Sequence, residues 1–257
     1  MITSVNNPVI QDIKKVQQNK YRKKMKEFFI EGEHLIQEAA KAGILDHVLI
    51  TEKYELAGNT IFLYTEKILD FTNDIPCDII SQDIAMKITQ TQTPQGIFGI
   101  AKMEETEIEV NTHILVLDGL QDPGNVGTIL RTAKAFGIKT VLATPDTVDF
   151  YNDKVIRATQ GVHFFMNVQR LEVDAIIAHL MENNYDVLAL DTTGEPISGA
   201  VKASKQAMII GNEGNGIDYR QFKTIEMKKV TIQMKENVES LNAAIATGIA
   251  LYEWQGK

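Results

Sequence analysis

The chain has 257 residues, of which 44% are hydrophobic, and a formal net charge of -8. This size and composition suit one large folded domain or two smaller ones and argue against an intrinsically disordered chain. A single cysteine, Cys77, excludes an internal disulfide and any zinc site built from several thiolates.

Metal binding and export are also disfavoured by the sequence. The five histidines are scattered without ligand spacing, so we expect no metal. No apolar stretch approaches the roughly 20 residues of a membrane span, and MITSVNNPVIQDIKK at the N-terminus lacks the apolar centre of a signal peptide. We therefore expect a cytoplasmic protein without a membrane partner.

The first 27 residues are basic, although the whole chain is acidic. They carry seven basic side chains against two acidic ones, Asp12 and Glu27. A positive arm on an acidic body can direct a polyanion to one surface, whereas a solvated helix face is the equally open alternative. The candidate contacts are Lys14, Lys15, Lys20, Arg22, Lys23 and Lys24.

From Phe28 the N-terminal third alternates helical and extended patterns. FFIEGEHLIQEAAKAG has apolar residues at helical spacing and Gly43 as a stop signal, which predicts a helix. HVLITEK, TIFLYT and GIFGIAKM are predicted strands. MEETEIEVNTH carries four glutamates and little periodicity. We expect a first domain over 1–103, a linker over about 104–111 and a second domain over 112–257.

The second domain alternates strands and helices more regularly. Its strands ILVLDG, TVLATP, DVLALD and AMIIGN are continuous apolar runs, which predict a parallel sheet covered on both faces. Helices are predicted over 125–136, 153–164, 174–183 and 240–254. This alternation predicts a doubly wound α/β domain, in which ligands bind where strands end and helices begin.

The first such loop contains DPGNVGTILR, which follows the strand ILVLDGL. Asn125 is predicted to cap the next helix, and Arg131 to project from near its positive end. Free amides, the helix dipole and a guanidinium would together favour a phosphate. The alternative is that Asn125 only caps the helix and Arg131 only pairs with a surface carboxylate.

Two further loops have unusual compositions. IIGNEGNGI holds three glycines after a buried strand, so a flat ligand can approach its backbone, and Glu213 within it needs a partner such as Arg131. The alternative is a plain turn with an exposed acid. In IQMKENVESLNAAIATGIALYEW, Ser240 is predicted to cap a helix rich in small residues, and Asn242 can reach a ligand or a neighbouring carbonyl.

Together these three stretches resemble the SpoU (TrmH) family of RNA ribose 2'-O-methyltransferases. The matched positions are Asp122, Pro123, Asn125, Gly127 and Arg131 of D-P-x-N-x-G-x-x-x-R, Gly211, Glu213, Gly214 and Gly216 of G-x-E-G-x-G, and Ser240, Leu241 and Asn242 of S-L-N. ITSVNNPVI, FFIEGEHLIQEA and TPQGI are similar to the substrate-binding domain, related to ribosomal protein L30e, that many members carry. The sequence departs from the family at Gln233, where proline is usual, and at Glu236 and Asn237, where glycine is common.

The resemblance implies an architecture. The fold would be α/β, with a C-terminal SPOUT α/β-knot, a parallel sheet with a deep trefoil knot, and a smaller N-terminal α/β L30e-like domain. The general rule against threaded chains would instead have given an open sheet. Members of this type form homodimers that pack around the knot and the last helix.

The resemblance also implies the roles of individual residues. Arg131 would hold an RNA phosphate and stabilise the developing alkoxide, Asn125 and Ser240 would orient ribose and phosphate, Glu213 would fix Arg131, and Asn242 would support the pocket. S-adenosylmethionine would bind at Leu190, Asp191, Thr192, Gly194, Gly211, Asn212, Gly216, Ile232, Met234 and Leu241. RNA would contact the six basic residues of the N-terminal arm.

The expected reaction is methyl transfer from S-adenosylmethionine to a ribose 2'-hydroxyl of RNA, with 23S ribosomal RNA as the favoured substrate. One alternative keeps the enzyme and changes the substrate to transfer RNA. Another is a non-catalytic RNA-binding or ribosome-assembly protein of the same fold. The sequence leaves the modified nucleotide open, and it leaves open whether methylation serves maturation or antibiotic resistance.

Overall fold

The computed structural model describes residues 1–70, 75–104, 107–110, 112–200, 205–235 and 240–254. The chain divides into two compact units, Met1–Glu104 and Glu105–Lys257. Part of the expected linker, residues 105, 106 and 111, lies outside the described residues, as do Glu236 and Asn237. Within the described ranges, no helix is both long and apolar enough to cross a membrane.

The first unit is built on a four-stranded mixed sheet. Its elements are α1 (Pro8–Val16), α2 (Asn19–Met25), β1 (Glu27–Glu31), α3 (Glu33–Lys41), β2 (Leu45–Thr51), β3 (Glu55–Ala57), β4 (Thr60–Leu63), β5 (Glu66–Asp70), β6 (Cys77–Ile80), α4 (Gln82–Ile88) and β7 (Ile97–Lys102). The sheet order is β1-β7-β2-β6, with β7 antiparallel to both neighbours and β2 parallel to β6. Strands β3, β4 and β5 form a separate antiparallel sheet.

The segment FFIEGEHLIQEAAKAG, predicted as one helix, is a strand followed by a helix. β1 pairs with β7 along its whole length, and Phe28, Phe29 and Ile30 are all buried. Three consecutive bulky apolar residues suit a strand that is covered on both faces. The chain turns at Gly32, whose φ of +105° favours glycine, and α3 begins at the next residue. Helical spacing therefore applies only after Gly32.

The basic N-terminal arm folds into α1 and α2, which the hydropathy pattern alone did not predict. Asn7 caps α1 by accepting a hydrogen bond of 2.9 Å from the backbone N–H of Val9, and Pro8 occupies the first helical position. Ile10, Ile13 and Val16 of α1 are buried in the same core as α4 and the sheet. The lysines therefore project from amphipathic helices with an apolar side in the core.

The second unit is built on a six-stranded sheet in which every neighbouring pair is parallel. Its elements are β8 (Ile114–Leu117), α5 (Pro123–Ala135), β9 (Thr140–Ala143), α6 (Asp153–Thr159), a 3₁₀ helix (Val162–Phe165), β10 (Asn167–Arg170), α7 (Val173–Glu182), β11 (Asp186–Pro196), a second 3₁₀ helix (Ile197–Gly199), β12 (Gln206–Ile210), β13 (Lys228–Thr231) and α8 (Ala243–Trp254). The sheet order is β10-β9-β8-β12-β11-β13. This confirms the predicted parallel α/β sheet.

Both faces of this sheet are covered, as the continuous apolar strands predicted. Leu115 and Leu117 of β8 lie in a core with α5, α6 and α8. Ile114 and Val116, which alternate with them, lie in a second core with α7. Because successive side chains point to opposite faces, each strand contributes to both cores.

The edge of this sheet contains an irregular pairing that shapes the functional site. β13 pairs in parallel with β11 in two registers, so that Val230 is opposite both Leu190 and Glu195. Gly194 lies between them with a φ of +141°, and a Cβ there would be 2.6 Å from the carbonyl oxygen of Lys229. Only glycine allows the backbone of β11 to pass this close to β13.

A second close contact joins two helices. A Cβ on Gly127 of α5 would lie 2.3 Å from the Cβ of Ala158 in α6. Gly127 is itself buried. The glycine of the D-P-x-N-x-G motif thus serves the packing of α5 against α6.

Candidate active site

The first turn of α5 differs from the prediction in its capping residue. Asp122 is the N-cap, and its Oδ1 accepts a hydrogen bond of 2.7 Å from the backbone N–H of Asn125. The prediction that Asn125 caps this helix is therefore wrong. Pro123 has no N–H and suits the first helical position, which makes the preceding residue the cap. The side chain of Asn125 is left to contact other groups.

Glu213, in the glycine-rich turn after β12, binds the start of α5. Its carboxylate accepts hydrogen bonds from the backbone N–H groups of Gln121 and Asp122, at 3.3 and 3.2 Å, and from Nδ2 of Asn125 at 3.1 Å. Burial alone would raise the pKa of Glu213, but these donors lower it overall. The side chain is therefore an anion near neutral pH. The predicted contact between Glu213 and Arg131 is not present, because amides of the loop occupy the carboxylate.

Asn242 connects the start of α8 to the same cluster. Its Nδ2 donates a hydrogen bond of 2.9 Å to Oδ1 of Asn125. Its Oδ1 accepts from the backbone N–H groups of Ala244 and Ile245, at 2.9 and 3.2 Å. Asn242 therefore caps α8, and the prediction of a helix that begins at Ser240 with serine as its cap is wrong. An asparagine oxygen that reaches the amides two and three residues ahead is a standard N-cap geometry.

Glu213, Asn125 and Asn242 thus form a hydrogen-bonded chain, which we call the amide relay. Each of the three motifs found in the sequence contributes one of its members. The relay joins the ends of three elements that are far apart in sequence. Sequence reasoning identified all three residues but not their mutual contacts.

Arg131 lies apart from the amide relay within the single chain. It is exposed on α5, six residues after Asn125. This separation corresponds to about 9 Å along the helix axis and about 120° around it. Within the described parts of the chain its guanidinium has no hydrogen bond or ion pair. The charge of Arg131 is therefore available to an external anion.

A cleft of about 530 Å³ lies beside the amide relay. Its walls are formed by the middle of β11, by the turn after β12, and by lining residues within 231–234 and 240–246. Nine of the ten residues predicted to bind cofactor line it, namely Leu190, Asp191, Thr192, Gly211, Asn212, Gly216, Ile232, Met234 and Leu241. Gly194 does not line the cleft and lies instead against Lys229. Ser240 and Glu213 also line it.

The glycine-rich turn closes on itself. Asn212 and Gly216 exchange two backbone hydrogen bonds of 2.9 Å each, and a Cβ on Gly211 would lie 2.3 Å from the backbone of Gly216. The side chain of Asn212 donates to the carbonyl of Gly119, at 2.7 Å, and accepts from the N–H of Gly214 at 2.9 Å. Asn212 therefore holds the turn against the end of β8, which gives the cleft a fixed wall.

Asp191 has several partners at the opposite wall. Its Oδ1 accepts from the backbone N–H of Thr193 at 3.0 Å, and its Oδ2 accepts from Nζ of Lys229 at 3.0 Å and from the hydroxyl of Tyr219. Tyr219 also lines the cleft. Sequence reasoning missed Tyr219 and Lys229, because each is in a polar segment without a motif.

The basic arm is not uniform. Lys15, Lys20, Lys23 and Lys24 are exposed and Lys14 is half-buried, whereas Arg22 is only 6% exposed. Its Nη1 donates to the carbonyls of Val16 and Gln17, at 3.0 and 3.1 Å, at the C-terminal end of α1. This burial argues against the predicted contact of Arg22 with RNA, because its guanidinium binds helix carbonyls.

Known proteins match both units of the chain. The SpoU rRNA Methylase family matches residues 112–252, and the MRM3-like substrate binding domain matches residues 7–99. The chain is 32% identical to the 23S rRNA (guanosine(2553)-2'-O)-methyltransferase RlmP of Bacillus subtilis, with 99% of each protein covered.

Solved structures agree with the sequence matches. A TrmH-family protein from Porphyromonas gingivalis matches with a TM-score of 0.83 and 28% identity, covering 99% of this chain and 98% of that one. The SpoU methyltransferase AviRb of Streptomyces viridochromogenes, solved in complex with the cofactor AdoMet, shares the fold with a TM-score of 0.84 at 20% identity, covering 97% of each chain. On the family match and the relationship to RlmP, the chain belongs to the SpoU rRNA methylase family.

Proposed function

We propose that the chain transfers a methyl group from S-adenosylmethionine to a ribose 2'-hydroxyl of RNA, with 23S ribosomal RNA as substrate. The observation that carries this proposal is that two of the motifs line one cleft, and that the amide relay of Glu213, Asn125 and Asn242 joins the third motif to them. The B. subtilis relative, matched over nearly the whole of both chains, is named as a 23S rRNA 2'-O-methyltransferase. This favours ribosomal RNA over transfer RNA.

The cleft fits the cofactor in size and chemistry. Its volume of about 530 Å³ is within the usual range for small-molecule sites. Ile232, Met234 and Leu241 offer apolar surface for an adenine, and the backbone of the glycine-rich turn offers amides and carbonyls. Glu213 places an acidic group in its wall, which suits a ligand with a positive sulfonium. When bound, the sulfonium supplies the activated methyl group.

The chain's own residues would position the ribose and stabilise charge. Arginine stays protonated in proteins and is therefore a poor base, so we assign Arg131 to holding an RNA phosphate and stabilising the developing alkoxide. The proton would pass to that phosphate or to water. We assign Ser240, in the cleft wall, to orienting the ribose. Asn125 would keep the relay in register, because its Oδ1 and Nδ2 both have protein partners.

Binding of RNA is assigned to residues 1–103 and catalysis to residues 112–257. The exposed lysines of the arm would contact phosphates, while the first unit would grip folded RNA by its shape. The trefoil knot, a cytoplasmic location and a homodimer are parts of the same proposal. The dimer is supported by α8, whose Ile245, Ile249 and Tyr252 are 58%, 38% and 53% exposed on one side of the helix.

The test is a methylation assay with the purified full chain. The chain is incubated with methyl-labelled S-adenosylmethionine and, separately, unmodified 23S rRNA, 16S rRNA and bulk tRNA, and the digested RNA is analysed for 2'-O-methyl nucleosides. We expect label at one site in 23S rRNA. Label in tRNA alone would support the transfer-RNA alternative. Cofactor binding without label in any RNA would support the non-catalytic alternative.

A further inference from the structure

The wall of the cleft around Asp191 contains a closed set of contacts that the proposed reaction does not use directly. Besides the Thr193 N–H, the carboxylate accepts from four groups, namely the hydroxyls of Thr192 at 3.5 Å and Thr193 at 3.2 Å, Nζ of Lys229 and the hydroxyl of Tyr219. In addition, Nζ of Lys229 lies 4.2 Å from the centroid of the Tyr219 ring. Asp191, Tyr219 and Lys229 therefore contact one another in all three pairings, and we call them the wall triad.

The wall triad joins the segments that enclose the cleft. Asp191 follows the part of β11 that pairs with β12. Tyr219 follows the glycine-rich turn, and Lys229 is in β13, immediately before the strand leads into the 231–234 wall. Parallel pairing alone leaves this corner weakly fixed, because the β11–β13 ladder changes register between Leu190 and Glu195. The side-chain contacts of the wall triad therefore fix this corner where the backbone hydrogen bonds between β11 and β13 are interrupted.

The carboxylate of Asp191 has little capacity left for a ligand. Both oxygens have at least two protein donors, and the side chain is 18% exposed. Burial raises the pKa of Asp191, but the hydrogen bonds from Tyr219, Thr193 and Lys229 outweigh it and hold the pKa well below its usual range. The group is thus a permanent anion that is neutralised by Lys229 rather than by a ligand.

We propose that Asp191, Tyr219 and Lys229 are positioning residues that hold the cofactor cleft in its binding shape, and that Asp191 does not itself contact the cofactor. This inference rests on the proposed function, because it concerns the same cleft. A preformed wall reduces the ordering that binding must otherwise supply, so its loss reduces affinity for the cofactor. The binding of RNA and the rate at saturating cofactor are expected not to depend on this preformed wall.

The test is a double-mutant cycle on the full chain, with the affinity for S-adenosylhomocysteine measured by calorimetry. Asp191→Asn and Lys229→Met each remove a charged hydrogen bond, and each is expected to weaken binding by about tenfold. Because both act through one contact, the double variant is expected to weaken binding by about tenfold as well, not by about a hundredfold. The KM for cofactor is expected to rise similarly, with kcat and the KM for RNA unchanged.

Glu195→Gln is the matched control. Glu195 forms an ion pair of 2.6 Å with Lys228 between the same two strands, but its side chain is 69% exposed and outside the cleft. It is expected to leave the affinity unchanged. If Asp191→Asn does not fold, as judged by circular dichroism, the cycle of Tyr219→Phe with Lys229→Met applies, with the same expected lack of additivity.

Three results would overturn the inference. Additive losses of about a hundredfold would mean that Asp191 contacts the cofactor directly. Unchanged affinity in the single variants would mean that the wall triad does not shape the cleft. No binding of S-adenosylhomocysteine by the unaltered chain would overturn the proposed function together with the inference, which separates that failure from the other two.

Discussion

The side-chain amide of Asn242 donates a 2.9 Å hydrogen bond to the side-chain oxygen of Asn125, although the two residues are 117 positions apart. The same Asn242 caps α8, and the same Asn125 donates to Glu213. These hydrogen bonds together fix the start of α8 and the start of α5 relative to the glycine-rich turn. The S-L-N and D-P-x-N motifs are in this sense parts of one hydrogen-bonded unit.

Asn242→Ala is expected to destabilise the protein by about 1–2 kcal/mol, because it removes a helix cap and a donor to Asn125. The measurement is the unfolding free energy from denaturant titration. Ser240→Ala, at the position that the sequence alone suggested as the cap, is expected to change it by less than about 0.5 kcal/mol. Equal losses in the two variants would contradict the assignment of the cap.

Arg131→Ala is expected to lower kcat for methyl transfer by at least about a hundredfold, because a charge that stabilises the developing alkoxide is lost. The affinity for S-adenosylhomocysteine is expected to stay the same, since Arg131 does not line the cleft. Calorimetry and single-turnover assays measure the two effects separately. A comparable loss of cofactor affinity would refute this division of roles.

The basic arm is expected to show its role in the salt dependence of RNA binding. Replacing exposed Lys23 and Lys24 with glutamine should reduce the slope of log K against log salt by about 0.7–0.9 for each phosphate contact that is lost. Arg22→Met should leave the slope unchanged and lower the unfolding temperature, because buried Arg22 serves the carbonyls of α1. A change of slope in Arg22→Met would reverse this distinction.

His163 is expected to make stability depend on pH. Burial lowers its pKa from 6.5 to about 3, and its Nδ1 lies 2.7 Å from the hydroxyl of Thr159. Below pH 6.5 the unfolded chain takes up a proton that the folded chain does not, so this histidine lowers stability by up to about 1.4 kcal/mol per pH unit between about pH 6.5 and 3. The His163→Asn variant should lose stability less steeply than the unaltered chain in denaturant titrations over this range. Parallel curves would contradict the assignment.

The proposed homodimer predicts that Ile245→Asp, on the exposed side of α8, yields a monomer in sedimentation experiments. A buried carboxylate without a partner would oppose association through this face. Met181→Asp is the control, since Met181 is similarly exposed, at 53% against 58% for Ile245, but lies on α7. Dissociation by both variants or by neither would argue against an α8 interface.

The sequence predicted the second unit well where its pattern was unambiguous. The strands around Val116, Leu142, Leu188 and Ile209 are continuous apolar runs, and each is a buried parallel strand. β13 was not predicted, because Lys228 and Lys229 interrupt its apolar character at the edge of the sheet. Edge strands with charged residues carry a weak hydropathy signal even when their backbone pairs fully.

The sequence predicted which residues belong to the candidate site, but it did not predict the contacts that they make. The motifs identified Asn125, Glu213 and Asn242 as residues of interest. Which of two nearby polar residues caps a helix depends on backbone angles, so the caps of α5 and α8 were assigned to the wrong residues. Arg22 carries the same charge as its lysine neighbours, and only its burial against α1 distinguishes it.

Gly127 is part of a motif that suggests ligand binding, but its own role is in helix packing. A glycine in the first turns of a helix that follows a strand is often interpreted as space for a nucleotide, yet here a methyl group on Gly127 would collide with Ala158 of the neighbouring helix. A substitution at Gly127 would therefore abolish activity by forcing two helices apart, with no ligand involved. A loss of function at this position would report on the packing of α5 against α6, and it would not locate the cofactor site.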